Sequence, residues 1–313
     1  MLNRRHVLYR SAVLLVLAGA LAAAGPVSQA AAADRPGLVS LELPIGTRGT
    51  GMGSAYVSVV DDPTATFWNP AGLARLDVAE KRFAIHFQHN EWISDFRQDY
   101  VSGGTRFGKH AVGGSFSGFY IGDLDGRDEF GRETVTFGAY DVVVTGTYAY
   151  ALNDRVALGG SLKYIVQNID ILTEFAFAAD LGAQYELRPD LRIGGAVTNM
   201  GSGLTYINQE DELPTAVQVG GSYVLPWRLG NGSLLAALDV RKARGDDTHV
   251  LFGGEYDYAG VARAQIGYGT GYDNSGLSFG LGASVAQFEL GYAIVPFESD
   301  LGSTHRFSFG LRL

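Results

Sequence analysis

Four stretches of this sequence carry residue types that could do chemistry, and each has to be judged by the element that would hold it. Gly276-Leu277-Ser278-Phe279-Gly280 has the G-x-S-x-G spacing of a nucleophile elbow, which needs a serine at a sharp strand–turn–helix corner. Here the glycines fall on a run of period two with no helical pattern after it, so small residues on one face of a strand explain the match. His86 and His89 are metal-ligand types three residues apart. On a strand that spacing sends them to opposite faces, and they cannot share an ion. Asp123, Asp125 and Asp128 form an acidic loop without the full ligand register of a calcium loop. Gly46-Thr47-Arg48-Gly49-Thr50-Gly51-Met52-Gly53 invites a phosphate cradle, but its glycines are spaced G-x-G-x-G and no βαβ unit surrounds them. The expectation is a chain that is not an enzyme, with no catalytic residue, no metal and no cofactor.

A different chemistry, that of helix termini, marks Asp61-Asp62-Pro63-Thr64-Ala65-Thr66-Phe67-Trp68-Asn69-Pro70-Ala71-Gly72-Leu73-Ala74-Arg75-Leu76. Asp and Asn side chains accept orphan N–H groups of a first turn, and proline at the first helical position loses no needed donor. Asp62 and Asn69 are therefore expected to cap two short helical turns. Phe67, Trp68, Leu73 and Leu76 give this piece an apolar side that must be buried. Two placements fit: a small plug packed on or inside a sheet structure, or a capped loop of a soluble β domain.

Composition narrows the choice. The 313 residues include 43 Gly, 16 Tyr, 17 Phe and 3 Trp, a pairing that suits many strands with tight turns. The absence of Cys excludes disulfides, thiolate metal sites and a cysteine lipid anchor. The formal charge of −9 argues against a nucleic-acid partner. Residues 1–33 read as a secretory signal peptide: Arg4, Arg5 and Arg10 precede the apolar run Ala12 to Ala24, and small residues follow at 28–33. That segment holds three arginines and no acid, so the remainder carries a formal charge of −12.

After residue 80 the period becomes two. Phe83, Ile85 and Phe87 alternate with Ala84, His86 and Gln88, and Tyr140, Val142 and Val144 with Asp141, Val143 and Thr145. Fourteen such runs are expected, near 82–90, 96–107, 110–122, 135–151, 155–168, 174–187, 190–200, 214–225, 232–241, 248–258, 261–270, 276–285, 287–297 and 304–313. Tight breaks at 108–109, 153–154, 188–190, 259–260 and 286 alternate with longer or more polar ones at 122–133, 200–213, 242–247, 270–275 and 298–303; 226–232 is intermediate. Short turns alternating with long loops at even strand number is the pattern of an outer-membrane barrel, and closure removes the exposed strand edges. The last run, His305 to Leu313, places Phe307, Phe309, Leu311 and Leu313 on one face, as suits a terminal strand read by the outer-membrane assembly machinery. The expected architecture is all-β: a transmembrane antiparallel barrel of about 14 strands over 80–313, with an N-terminal hatch of short helical turns over 34–79.

The residues Gly46, Arg48, Gly49, Gly51, Met52 and Gly53, then Asp61-Asp62 and Trp68-Asn69-Pro70-Ala71-Gly72-Leu73, resemble the PorV/PorQ family, as does the ending Leu301-Gly302-Ser303-Thr304-His305-Arg306-Phe307-Ser308. Those proteins are similar to FadL, the outer-membrane long-chain fatty acid transporter, and Phe67 to Leu73 looks like its Asn-Pro-Ala hatch motif. The resemblance implies a 14-stranded barrel in the bacterial outer membrane with its hatch in the lumen. It implies passage of hydrophobic small molecules, or a PorV-like accessory role in type IX protein secretion; a structural barrel without cargo stays open beside these. In the transport reading an apolar molecule enters from the loop side, contacts Phe67 and Trp68 in a site with Asn69, Pro70, Ala71 and Gly72, and leaves when the hatch shifts. The expected partners are membrane lipid, the assembly machinery, and hydrophobic small molecules or a secreted protein.

Overall fold

A computed structural model of the protein describes residues 37–77, 83–92, 96–127, 130–206, 209–271, 276–297 and 302–313. The expected signal peptide and the expected boundary at 79/80 lie outside these residues, as do the side chains of Asp123, Asp125 and Asp128.

Among the described residues sixteen strands form. They are β1 (Ala84–Glu91), β2 (Arg97–Phe107), β3 (His110–Arg127), β4 (Glu133–Ala151), β5 (Val156–Ile169), β6 (Leu172–Arg188), β7 (Leu191–Gly201), β8 (Leu204–Tyr206), β9 (Gln209–Asp211), β10 (Ala216–Leu229), β11 (Gly232–Ala243), β12 (Thr248–Tyr258), β13 (Ala262–Gly269), β14 (Leu277–Val285), β15 (Phe288–Pro296) and β16 (Ser303–Arg312). Fourteen of them close into one antiparallel barrel in which each strand pairs with its neighbours in sequence. β1 meets β16 from Ala84↔Arg312 to Glu91↔His305, and this pairing closes the wall. β8 and β9 pair only with each other, as a hairpin inside the connection expected at 200–213 to be a plain loop.

Alternation explains the wall. On β4, Asp141, Val143, Thr145 and Thr147 are buried, while Tyr140, Val144 and Tyr148 are exposed. On β5, Ser161, Lys163 and Ile165 face in, and Leu162 is 73% exposed. Phe177 and Leu181 on β6 are 66% and 60% exposed. A soluble β domain buries such residues and turns the polar ones outward. The inverted order, polar inside and apolar outside, is that of a wall facing lipid, and it removes the soluble-domain reading of residues 61–76.

The turns keep the expected parity with two corrections. Asp170 and Ile171, between β5 and β6, make a two-residue turn at the long-loop end, where the backbone reverses with Asp170 at φ 56°. Pro226 does not begin a loop. β10 runs through it to Leu229, and the pairing with β11 slips between Val224 and Arg228. A bulge leaves one backbone N–H out of the ladder, so a proline costs nothing there.

Residues 37–77 occupy the lumen. A 3-10 turn at Val39–Glu42, α-helical turns at Thr47–Gly51 and Ala65–Trp68, and a 3-10 helix at Pro70–Arg75 are linked by irregular chain. Met52, Tyr56, Val59, Val60, Trp68 and Leu73 pack against small wall residues such as Ala111, Ala149, Ala157 and Ala237. The segment also lies against glycines on strands around the barrel: Gly159 under Pro70, Gly194 under Val57, Gly253 under Met52, Gly280 under Gly51 and Gly291 under Thr47. A Cβ at Gly194 would stand 2.6 Å from the Val57 carbonyl oxygen. Only a position inside the barrel puts one segment against β5, β7, β12, β14 and β15 together.

Candidate functional site

The segment is fastened to the wall by polar side chains that both contribute. Arg48, in the turn Thr47–Gly51, grips Glu255 of β12 with two N–H···O bonds of 2.7 Å each and reaches Asp61 at 3.0 Å. Its guanidinium also lies over the Tyr56 ring, 5.6 Å from the centroid. Burial alone would lower the Arg48 pKa, but Tyr56, Glu255 and Asp61 around it outweigh that and raise it well above the usual arginine value. The Asp239 carboxylate of β11 accepts the Val57 N–H at 3.0 Å. Gln184 of β6 donates to the carbonyls of Val57 and Val60.

Asn69 does three things. Its Oδ1 accepts from Ala71 N at 3.1 Å at the head of Pro70–Arg75, with proline at the first turn. Its Nδ2 donates to Val57 O at 2.8 Å and to Ala183 O of β6 at 3.1 Å. One fully buried side chain thus caps a turn, ties the segment to itself and ties it to the wall. Asp62 accepts the first N–H after its proline, as expected, but it does so ahead of the helix proper. The helix it was to cap begins at Ala65 with Thr64 at the cap position. The Asp62 Oδ1 accepts from Thr64 N and Thr64 Oγ1 and holds the preceding turn, while Oδ2 accepts from Tyr56 OH. Burial pushes the Asp62 carboxyl up, and His86, the Thr64 bonds, Arg48 and Tyr56 together more than reverse this, leaving it below the usual carboxylate range.

The glycine stretch serves close packing. Gly46 donates its N–H to Gln88 Oε1 and Gly49 lies under the Trp68 indole. Gly51 lies on Gly280, and Gly53, at φ 63°, sits against the β13 backbone. Met52 is fully buried. Gly72 is pressed to the Val60 carbonyl, and Pro70 and Ala71 rest on β5. Trp68, expected to meet cargo, is only 7% exposed. Its Nε1 donates to Ile45 O at 2.8 Å, and its ring stands edge-on to Tyr56 and Phe67. Ser278 is a wall residue whose hydroxyl donates to Gly51 O at 3.3 Å, not a nucleophile at a corner. His86 and His89 do face opposite sides of β1: His89 bonds Asp99 outside at 2.7 Å, and His86 lines a small cavity at the short-turn end.

Above this floor the lumen opens toward the long loops as a cavity of about 260 Å³. Phe67 and one edge of Trp68 form its bottom with Leu41, Leu43 and Pro44; Trp92 and Phe297 stand at its mouth. Among the described residues three cations of the wall line it. Lys163 is held by Asp180 at 2.9 Å and Arg241 by Glu42 at 2.7 Å. The third, Arg306, is 1% exposed and among the described residues hydrogen-bonds Thr304 Oγ1 alone, at 2.9 Å. Sequence reasoning passed over Arg306, Lys163, Glu255 and Asp239. The signal for them is a charge on the inward phase of a strand, as Arg306 stands between the outward residues His305 and Phe307.

No curated protein matches the chain. The toluene transporter TbuX of Ralstonia pickettii superposes with a TM-score of 0.61 at 14% identity, over 86% of this chain and 98% of that one. The monoaromatic hydrocarbon channel CymD gives 0.63 at 13% identity, over 89% and 99%. A FadL homologue of Pseudomonas aeruginosa gives 0.50 at 13%, over 85% and 97%. At such identities the likeness is one of fold, and the fold is that of the FadL-type outer-membrane transporters. The sequence itself, over residues 16–216, matches the model of the Uncharacterised protein family (UPF0164), and the chain belongs to that family.

Proposed function

We propose that this protein is an outer-membrane channel through which hydrophobic small molecules pass, held on the way in the lumenal cavity above Phe67. The observation that carries this reading is the cavity itself. Inside a barrel wall whose inner face is otherwise polar, Leu41, Leu43, Pro44, Phe67, Trp92 and Phe297 converge on about 260 Å³ of space open toward the long loops. An apolar cavity of about 150 Å³ already suffices to bind benzene. Burial of apolar ligand surface supplies affinity at about 25 cal/mol per Å². In this reading residues 37–77 are the hatch, β16 is the strand the assembly machinery reads, and the outward apolar face meets membrane lipid. The named cargoes of TbuX and CymD, toluene and monoaromatic hydrocarbons, agree with an apolar binding space.

Titrating butylbenzene into detergent-solubilised protein tests the proposal. Saturable quenching of tryptophan emission, weakened in Phe67→Ala, is the expected result. The narrower PorV/PorQ assignment rests on residues 46–76 and 301–313 and carries the type IX secretion alternative with it. If no hydrophobic compound binds saturably while the terminal domain of a secreted protein does, the adaptor reading replaces transport. If neither binds, a structural barrel remains.

A further inference from the structure

Charge is spread unevenly along the barrel axis. The five long connections hold 13 acids against 4 bases, and so carry most of the acidity of the chain. The short-turn end, which in outer-membrane barrels faces the periplasm, is different. Along the arc from the β2–β3 turn to the β6–β7 turn, six bases (Arg75, Arg106, Lys109, Arg155, Arg188 and Arg192) stand against Asp154, Glu186 and Asp190. Two of those acids are already taken: Arg188 pairs with Asp190 at 3.1 Å and Arg75 with Glu186 at 3.3 Å. Among the described residues no carboxylate lies within ion-pair distance of Arg106, Lys109, Arg155 or Arg192.

Backbone carbonyls occupy single donors of these side chains. Arg106 donates to Ala74 O at 3.3 Å, Lys109 to Leu152 O at 3.3 Å, Arg192 to Ser58 O at 3.5 Å and Arg75 to Arg155 O at 2.9 Å. A carbonyl satisfies a donor but leaves the charge standing. Arg75 Nε and Arg192 Nε have no partner among the described residues. Burial first, and then the charge of Arg192, bring the Arg75 pKa down to about 10, so it remains a cation at neutral pH. Direction decides what kind of anion these groups can meet. Arg106 follows the buried Gln98, Tyr100 and Ser102 on the inward phase of β2, and Arg192 shares the inward phase of β7 with Gly194. Both therefore stand with Arg75 inside the ring of strands, away from the lipid on the outer wall. Guanidinium forks match carboxylates at two points. We infer that this basic arc is a docking surface for a soluble periplasmic protein bearing an acidic patch, seated directly against the segment that fills the lumen. The surface lies apart from the cavity above Phe67, and docking there does not depend on what that cavity holds.

Fluorescence anisotropy of a labelled decaglutamate peptide, titrated with the full chain in an uncharged detergent at neutral pH, tests the assignment. Wild type should bind the peptide saturably and should ignore decaglutamine. Raising the salt to about 150 mM should weaken the interaction, because the contact is one between exposed charges. Lys109→Glu combined with Arg155→Glu reverses two exposed charges in turns and should weaken binding by about 10-fold. Arg228→Glu, which alters an exposed cation of β10 outside the arc, should leave the affinity unchanged and controls for net charge. Equal loss in Arg228→Glu and in the double variant would overturn the location. Absence of saturable binding by wild type would overturn the surface altogether, whatever the cavity binds. Dihexanoyl phosphatidylglycerol, a soluble anionic lipid, is the second probe: if it binds the arc and decaglutamate does not, the surface belongs to lipid headgroups and the protein-docking assignment falls.

Discussion

At the floor of the lumen, Asp239, Gln184 and Glu255 of the wall each engage the segment 37–77. At the mouth, Arg306 Nε and Trp92 Nε1 meet no partner among the described residues. Asp239 Oδ1, Gln184 Oε1, Gln88 Nε2, Arg75 Nε and Arg192 Nε stay unbonded at the floor as well, but each of those side chains joins segment to wall through another atom, while the Thr50 and Ser58 hydroxyls meet no partner among the described residues. The floor is a protein interior: glycines let backbones touch, a buried ion pair crosses from segment to wall, and what space remains is small. The mouth is the reverse, with large aromatic surfaces, an open cavity and an uncompensated cation. Buried polar groups are hydrogen-bonded when their role is to fold the chain. Groups left unanswered beside open space are where a ligand supplies the missing partner.

Breaking the floor should cost far more than altering the mouth. Arg48→Met leaves Glu255 buried and unpaired, and should destabilise the seated segment by about 3–5 kcal/mol. Limited proteolysis would show cleavage within 37–77, and planar-bilayer recordings a larger conductance. Adding Glu255→Leu removes the orphaned charge and should restore most of the loss. If Arg48→Met resists protease like wild type, the ion pair is not what holds the segment.

Asn69→Ala comes next. Removal of the capping oxygen alone costs about 1 kcal/mol. Here the amide is lost too, leaving the buried carbonyls of Val57 and Ala183 without it, so the total should reach about 2–4 kcal/mol. Comparing urea-dependent proteolysis of the segment with melting of the barrel separates the two effects: the segment should loosen first. A loss no greater than for an ordinary exposed cap would mean that the wall bond contributes nothing.

Gly159→Ala should follow at about 1–3 kcal/mol, because a Cβ there meets the Pro70–Ala71 peptide and one of the two backbones must move. Gly146→Ala on the neighbouring strand, with nothing within 4 Å of the added carbon, should have almost no effect on the same measurement. Equal behaviour of the two would argue against tight seating.

The smallest effect is on pH. The folded Asp62 carboxyl lies below its ordinary value, so its contribution is complete above the unfolded pKa and is lost as pH falls through the folded one. The segment should therefore loosen in acid only below about pH 4. Asp62→Asn should flatten that acid limb in a proteolysis–pH profile. Loosening already between about pH 5 and 7 would assign the step to another group.

Much of the architecture was legible before any coordinates. The period-two runs give the barrel strands to within a few residues, because a wall with lipid on one side and a polar lumen on the other must alternate. Pro226 misled, since proline normally ends a strand and only the pairing with β11 reveals a bulge that tolerates it. The hairpin β8–β9 was hidden in a polar connection, its strands being three residues each. Asp62 and Asn69 have identical local signatures and each accepts the N–H two residues on, but Asn69 also reaches Ala183 across 114 residues, which no local signature shows.

What the residue order alone determined is therefore local and periodic: alternation, turn chemistry at Asx-Pro steps, and the inward phase of Arg306. The tertiary structure decided which inward charges find partners. Glu255 meets Arg48 across 207 residues of sequence, and Asp239 meets Val57 across 182. Among the described residues Arg306 hydrogen-bonds Thr304 alone, two residues away on its own strand. Closure of the barrel and the path of residues 37–77 through it set those distances, and the energy of a buried charge depends on what stands within a few ångströms of it rather than on its neighbours in sequence.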